Sequence, residues 1–286
     1  MLDYEKKYVN LINGETYAYI EKGKAKKTVL LLHGNLASSV HMVTLMDKLK
    51  EEYRVIAPDL RGFGDSSFNQ PFMSLKELAF DVLLFCKAIN IQNAFVLGWS
   101  TGFGVAMELA IICPSIVTGL FSLEGMSVKG YYSEQRETKI FTSFQKMNED
   151  QTMNFIPKAL ANKDYEVIKA VWTKTLLKSP IQDDLLTLYV KETMKQRSQI
   201  YINWCWVNFN ISDEANLYTK GNGLMNQIKC PIHITLAEND NVVTPKMIQE
   251  NINRFKSAKV YRFIKGGHCL HFDELDKITQ ILKTII

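Results

Sequence analysis

The sequence predicts an α/β fold: a mostly parallel central sheet flanked by helices, with an inserted helical segment. Three observations carry the prediction. Short, nearly continuous apolar runs recur in both the first and the last part of the chain, helical periodicities separate most of them, and the interval 126–229 breaks that rhythm. Continuous apolar runs mark strands buried on both faces. Strands alternating with helices build a parallel sheet covered by helices.

The elements follow in chain order. The opening "KKYVNLINGETYAYIEKG" has two β-rich halves around Asn13-Gly14, a dipeptide suited to a hairpin turn, so an antiparallel edge should precede the parallel strands. Next, "TVLLLHG" (28–34), "YRVIAPD" (53–59), "AFVLGWS" (94–100), "GLFSLEG" (119–125), "IHITLAEND" (232–240) and "KVYRFIKGG" (259–267) read as strands. Leu75, Leu78, Ala79, Val82, Leu83 and Cys86 recur at the spacing of an amphipathic helix, with Ser74 placed to cap it. The lysines at 22, 24, 26 and 27 cluster between two strands and read as a solvated turn. The interval 126–229 is rich in Lys, Gln, Met, Leu and Trp and lacks an obvious strand. It reads as a helical cap, leaving 1–125 and 230–286 as the core.

Composition narrows the function. The 286 residues suffice for one large domain with an insertion, or for two domains. A hydrophobic share of 47% and a charged share of 22% are ordinary for a soluble globular chain. Thirty-four basic residues against 30 acidic ones are too evenly matched to argue for nucleic acid. No apolar run approaches the ~20 residues of a membrane span, and the first residues lack a secretory apolar core. Cys86, Cys113, Cys205, Cys230 and Cys269 are odd in number and without metal-type spacing, which suggests reduced thiols and a cytoplasmic location. The expected partner is a small-molecule substrate, with no metal and no cofactor.

The stretch "FVLGWSTGFGVAMELA" (95–110) carries the chemistry. It is no phosphate cradle: a P-loop needs a lysine that is missing here, and Gly98, Gly102 and Gly104 have the wrong spacing for a dinucleotide fingerprint. Gly98-Trp99-Ser100-Thr101-Gly102 is G-x-S-x-G, with a strand before it and a helix after it. A serine at so sharp a turn needs neighbours without side chains, and the following helix points its positive end at the site. Gly104 reads as a packing glycine.

A serine hydroxyl needs a base. Among His33, His41, His233, His268 and His271, only His268 combines a loop after the last strand, a preceding Gly266-Gly267 and a late position in the chain. His41 and His233 read as structural. "HCLH" (268–271) could hold a metal pair but has no third ligand at useful spacing. The orienting acid should end a strand between serine and histidine. Asp240 fits best, Glu238 is the fallback, and Glu124 is a third candidate.

With "LLLHGN" (30–35), "VIAPDLRGFGDS" (55–66), "LGWSTGFGVAMELA" (97–110), "CPIHITLAENDNVVTP" (230–245) and "GGHCLHF" (266–272) in this order, the chain resembles the α/β-hydrolase fold proteins with a helical cap over nearly its whole length. The resemblance implies Ser100 as nucleophile, His268 as base and Asp240 as orienting acid. It also implies an oxyanion hole from the backbone N–H groups of Asn35 and Thr101, and acyl transfer to water on small carboxylic esters. "HGN" is also similar to haloalkane dehalogenases, but those enzymes and epoxide hydrolases carry an aspartate where Ser100 stands. Trp99, Trp172, Trp204 and Trp206 are candidates for the substrate pocket. Two alternatives stay open. One keeps the triad for another substrate class: a C–C bond hydrolase, aminopeptidase, thioesterase or perhydrolase/haloperoxidase-type enzyme. The other is a non-enzymatic small-molecule sensor.

Overall fold

The computed structural model describes residues 2–130 and 143–286. The chain opens with β1 (Lys6–Asn10) and β2 (Thr16–Lys22), then β3 (Thr28–Leu32), α1 (Val43–Leu49) and β4 (Arg54–Pro58). There follow α2 (Leu75–Ala88), β5 (Ala94–Trp99), α3 (Thr101–Ile112) and β6 (Val117–Leu123). Five helices come next: α4 (Phe144–Glu149), α5 (Phe155–Ala161), α6 (Tyr165–Val171), α7 (Asp183–Thr193) and α8 (Ile202–Asn208). The chain closes with β7 (Ile232–Ala237), α9 (Pro245–Arg254), β8 (Lys259–Phe263), α10 (Leu270–Asp273) and α11 (Leu275–Ile285). Every strand expected from the sequence forms, and the described residues between β6 and β7 contain helices and no strand.

The eight strands make one sheet in the order β1-β2-β4-β3-β5-β6-β7-β8. The pairs β1–β2 and β2–β4 are antiparallel, and all others are parallel. The hairpin turn lies at the expected place: Gly14 adopts φ 87°, and its N–H donates to the Leu11 carbonyl at 3.0 Å. Ser74 caps α2 as expected, its hydroxyl accepting the Glu77 N–H at 3.3 Å.

Side-chain alternation along the strands makes two apolar layers. Leu30 and Leu32 of β3 pack with Leu78, Val82, Val105 and Leu109 of α2 and α3. Val29 and Leu31 face the other way, into a layer with Leu45, Leu49, Ile278 and Leu282 of α1 and α11. Each fully buried leucine contributes about 2 kcal/mol. The helices between β6 and β7 join both layers: Trp172, Tyr189 and Val190 enter the second, and Ile202 and Cys205 the first. They thereby straddle the carboxyl edge of the sheet, where ligands of open α/β sheets bind.

Candidate active site

Ser100 is the single residue between β5 and α3. Its backbone takes φ 55° and ψ −122°, a conformation unfavourable for any residue with a side chain, held here by the surrounding chain. Two glycines make the turn possible. A Cβ on Gly98 would stand 2.4 Å from the Phe103 Cα, and one on Gly102 would stand 2.2 Å from the Leu32 carbonyl oxygen. The hydroxyl is therefore lifted off the carboxyl end of β5 at the N-terminus of α3. Gly104 also packs tightly, but against Met126 and Leu75 of α2 rather than against a strand.

Asp240 follows β7 and His268 follows β8, and the two meet: the His268 Nδ1–H donates to Asp240 Oδ2 at 2.7 Å. Asp240 Oδ1 accepts the N–H groups of Val242 and Val243 at 2.7 and 3.1 Å, which fixes the carboxylate. Both residues are buried, whereas the fallback Glu238 is exposed. Ser100 stands on the same sheet edge, and its hydroxyl forms no hydrogen bond among the described residues; unliganded nucleophile–base contacts commonly tighten only when substrate binds. The third acid candidate, Glu124, lies fully buried after β6. Its Oε1 lies 2.7 Å from Thr235 Oγ1, and its Oε2 accepts the Ala237 N–H at 3.2 Å. Burial, and then the Asp240 charge, push its carboxyl well above the usual range.

Three of the remaining histidines are buried and held by hydrogen bonds or ring contacts. The buried His33 donates from Nδ1 to the Gly34 carbonyl at 2.7 Å and accepts the Leu60 N–H on Nε2 at 3.0 Å. His41 lies in a short 3-10 turn, stacks on Trp172 and accepts the Ser38 N–H at 2.9 Å. His271 packs on Trp99 with ring centroids 4.5 Å apart. No cluster suited to a metal forms among the described residues.

Burial lowers His33 to about 4 and His271 to about 3, and drives His41 well below the usual imidazole range. All three fold neutral, so their stabilisation is complete above about pH 6.5 and is lost as pH falls toward 4. Each removes ~1.4 kcal/mol per pH unit across that window. Urea unfolding at pH 7.5 and 5.5 should show this acid loss, and His271→Phe should flatten it by one proton's worth. An unchanged slope in the variant would refute the assignment.

The tryptophans divide. Trp206 of α8 lines a cavity of about 340 Å³ and donates from Nε1 to Thr101 Oγ1 at 2.9 Å. Trp204 lines a small adjoining cleft with Phe144 and Tyr201. Trp99 and Trp172 are fully buried and do not line this cavity. The Trp99 Nε1–H donates to the His268 carbonyl at 2.8 Å. Trp172 spends its N–H on Thr193 Oγ1 at 2.9 Å. The large cavity has Asn35 and Leu36 at one side, Asn241 and Val242 beside Asp240 at another, and mostly apolar walls such as Ile156, Leu160 and Leu176.

Sequence reading missed Thr193 and Gln196, which reach the loop after β3: the Leu36 N–H donates to Gln196 Oε1 at 2.9 Å. A signal existed. Leu186, Tyr189 and Val190 form the buried stripe of α7, and Thr193 continues it as a polar residue at an apolar position. Lys6 was missed as well. Its buried ammonium touches Asp59, Asp65 and Glu192 at 2.8, 2.6 and 3.0 Å, tying β1 to α7.

A serine on a strained strand–helix turn, with a histidine–aspartate pair on the loops after the last two strands, defines a hydrolase on a parallel α/β sheet. The chain belongs to the α/β-hydrolase fold family, whose family model matches residues 27–275. It is 35% identical over 106 residues to the dihydrolipoyllysine-residue acetyltransferase component of the acetoin cleaving system of Cupriavidus necator. That match covers 37% of this chain and 28% of the relative. A haloalkane dehalogenase of Mesorhizobium japonicum is 33% identical over 113 residues, covering 38% of this chain and 35% of the relative. Each match thus spans only about a third of the relative's length. An esterase from Exiguobacterium antarcticum superposes with a TM-score of 0.79 at 16% identity, over 98% of both chains. No helix of the described residues is long and apolar enough to cross a membrane.

Proposed function

We propose that the chain is a serine hydrolase that cleaves small carboxylic esters through an acyl-enzyme. Residues 126–229 form the cap over its acyl cavity. The observation that carries this reading is the His268–Asp240 hydrogen bond at 2.7 Å on the sheet edge that also presents Ser100 at φ 55°. Ser100 Oγ attacks the ester carbonyl while His268 Nε2 takes its proton. Asp240 holds the imidazole tautomer and stabilises the imidazolium. Negative charge gathers on the carbonyl oxygen, where the N–H groups of Asn35 and Thr101 receive it. His268 then protonates the leaving alcohol, and water repeats the cycle on the acyl-enzyme. The steps call on no metal or cofactor.

The cavity of about 340 Å³ is at the small end of ligand pockets, and its apolar walls suit an acyl chain. A serine at position 100 supports ester cleavage over the chemistry of the dehalogenase relative, which is similar here over 113 residues only. Purified protein should be tested on p-nitrophenyl esters from acetate to decanoate, alongside a vinylogous diketone, a prolyl amide, a thioester and a bromoalkane. Short to medium esters are expected to give the highest kcat/KM. A non-ester winning by a wide margin would replace the substrate class while leaving the triad in place.

A further inference from the structure

We propose that Gln196, a cap residue, is a positioning residue for the oxyanion hole, so that the hole is complete only while the cap is docked. This rests on the reading of Ser100 as the nucleophile.

The loop after β3 needs an external brace. Leu36 adopts φ 62°, the left-handed region, which is unfavourable for a leucine. The cap holds both of its backbone groups. Its N–H donates to Gln196 Oε1 at 2.9 Å, and its carbonyl accepts the Thr193 hydroxyl at 2.6 Å. The other end of the same amide donates from Gln196 Nε2 to Asn35 Oδ1 at 3.0 Å. With both ends of the amide engaged, its rotamer is fixed, and Gln196 and Thr193 are only 5% and 0% exposed. The loop is braced on its far side too, where the Ser38 hydroxyl donates to Glu192 Oε2 at 3.2 Å.

This arrangement decides which amide can meet the oxyanion. The Leu36 N–H is spent on Gln196, whereas the N–H groups of Asn35 and Thr101 donate to nothing among the described residues. Gln196 thus selects the Asn35 N–H by occupying its neighbour and clamping the side chain of the same residue. The cap also reaches the second donor, through the Trp206 Nε1–H on Thr101 Oγ1 at 2.9 Å. Swinging the end of α7 away would release Leu36 from its left-handed geometry and misaim the Asn35 N–H. Substrate entry must therefore leave this part of the cap in place.

The test is Gln196→Met, which keeps length and volume and deletes both hydrogen bonds. Losing an oxyanion donor outright costs ~100- to 1000-fold, so misaiming one should lower kcat/KM on p-nitrophenyl butyrate by ~10- to 100-fold. KM should stay within about threefold, because the ester ground state barely uses the hole. The affinity of a trifluoromethyl ketone, which places an alkoxide in the hole, should fall by the same factor as kcat/KM; a merely structural role would not couple the two. Gln196→Glu keeps the acceptor for Leu36 and loses the donor to Asn35, so it should be intermediate. Should Gln196→Met fail to fold, Gln196→Glu carries the test by the same two readouts. A folded variant with both readouts within about twofold of the parent would overturn the proposal. Turnover persisting in Ser100→Ala would instead sink the nucleophile reading, whatever Gln196 does.

Discussion

Ser100→Ala is expected to lower ester turnover by ~10⁶-fold, to the level the oxyanion hole and binding can sustain without a nucleophile. The size of the effect follows from the division of labour. In the proposed mechanism His268 and Asp240 serve to activate Ser100, so without the hydroxyl their contribution disappears with it, and a second substitution at His268 should add little. The fold should survive, because the hydroxyl hydrogen-bonds no other described group and the strained backbone at φ 55° belongs to the turn rather than to the side chain. Alanine meets the same φ penalty as serine. The check is twofold: kcat on p-nitrophenyl butyrate, and labelling by a fluorophosphonate probe, which should mark Ser100 in the parent and nothing at that position in the variant. Activity of the variant above about 1% of the parent would reject Ser100 as the nucleophile. An unchanged melting temperature guards against mistaking unfolding for lost chemistry.

The parts of this site differed in how they could be read from the residues. The β5–Ser100–α3 turn is local, so its glycines and apolar flanks announce it within a few positions. The strands were legible for the same reason, as continuous apolar runs in a sheet buried on both faces. Asp240 and His268 were legible because each ends a strand, and strand ends of a parallel sheet converge on one edge. The burial of Trp99 was not legible, because its place beside Ser100 in sequence does not show that its N–H is spent on the His268 carbonyl. Gln196 lies 160 residues from Leu36 and carries no local pattern of its own, so only the folded chain reveals what it holds. The Lys6 cluster is similar. A lysine near the start of a chain looks solvated until α7 brings Glu192 within 3.0 Å of it.

Asp240→Asn is expected to lower kcat by ~10⁴-fold with KM little changed, and Glu124→Gln is expected to stay within a few-fold of the parent. The contrast is the informative quantity, because both carboxyls are buried at the ends of neighbouring strands. Two adjacent buried carboxyls cannot both ionise. Asp240 gathers two backbone N–H donors and His268, whereas burial, and then the Asp240 charge, raise the Glu124 carboxyl well above the usual range. An amide at 240 offers His268 a group that can stabilise the wrong tautomer, and it cannot neutralise the imidazolium that forms as Ser100 attacks. An amide at 124 keeps the size of the acid, its lack of charge and an acceptor for the Ala237 N–H. The sign of any pH effect follows. A carboxyl whose folded pKa is raised stabilises the fold at low pH and loses that contribution as pH rises through the folded value. Above that value the parent places a second negative charge beside Asp240, so its alkaline limb should be steeper than that of Glu124→Gln. Stopped-assay profiles of kcat/KM from pH 6 to 10 for the parent and both variants decide the matter. If Glu124→Gln falls as far as Asp240→Asn was expected to, while Asp240→Asn stays active, the orienting acid is the one after β6, and the catalytic assignment moves from Asp240 to Glu124.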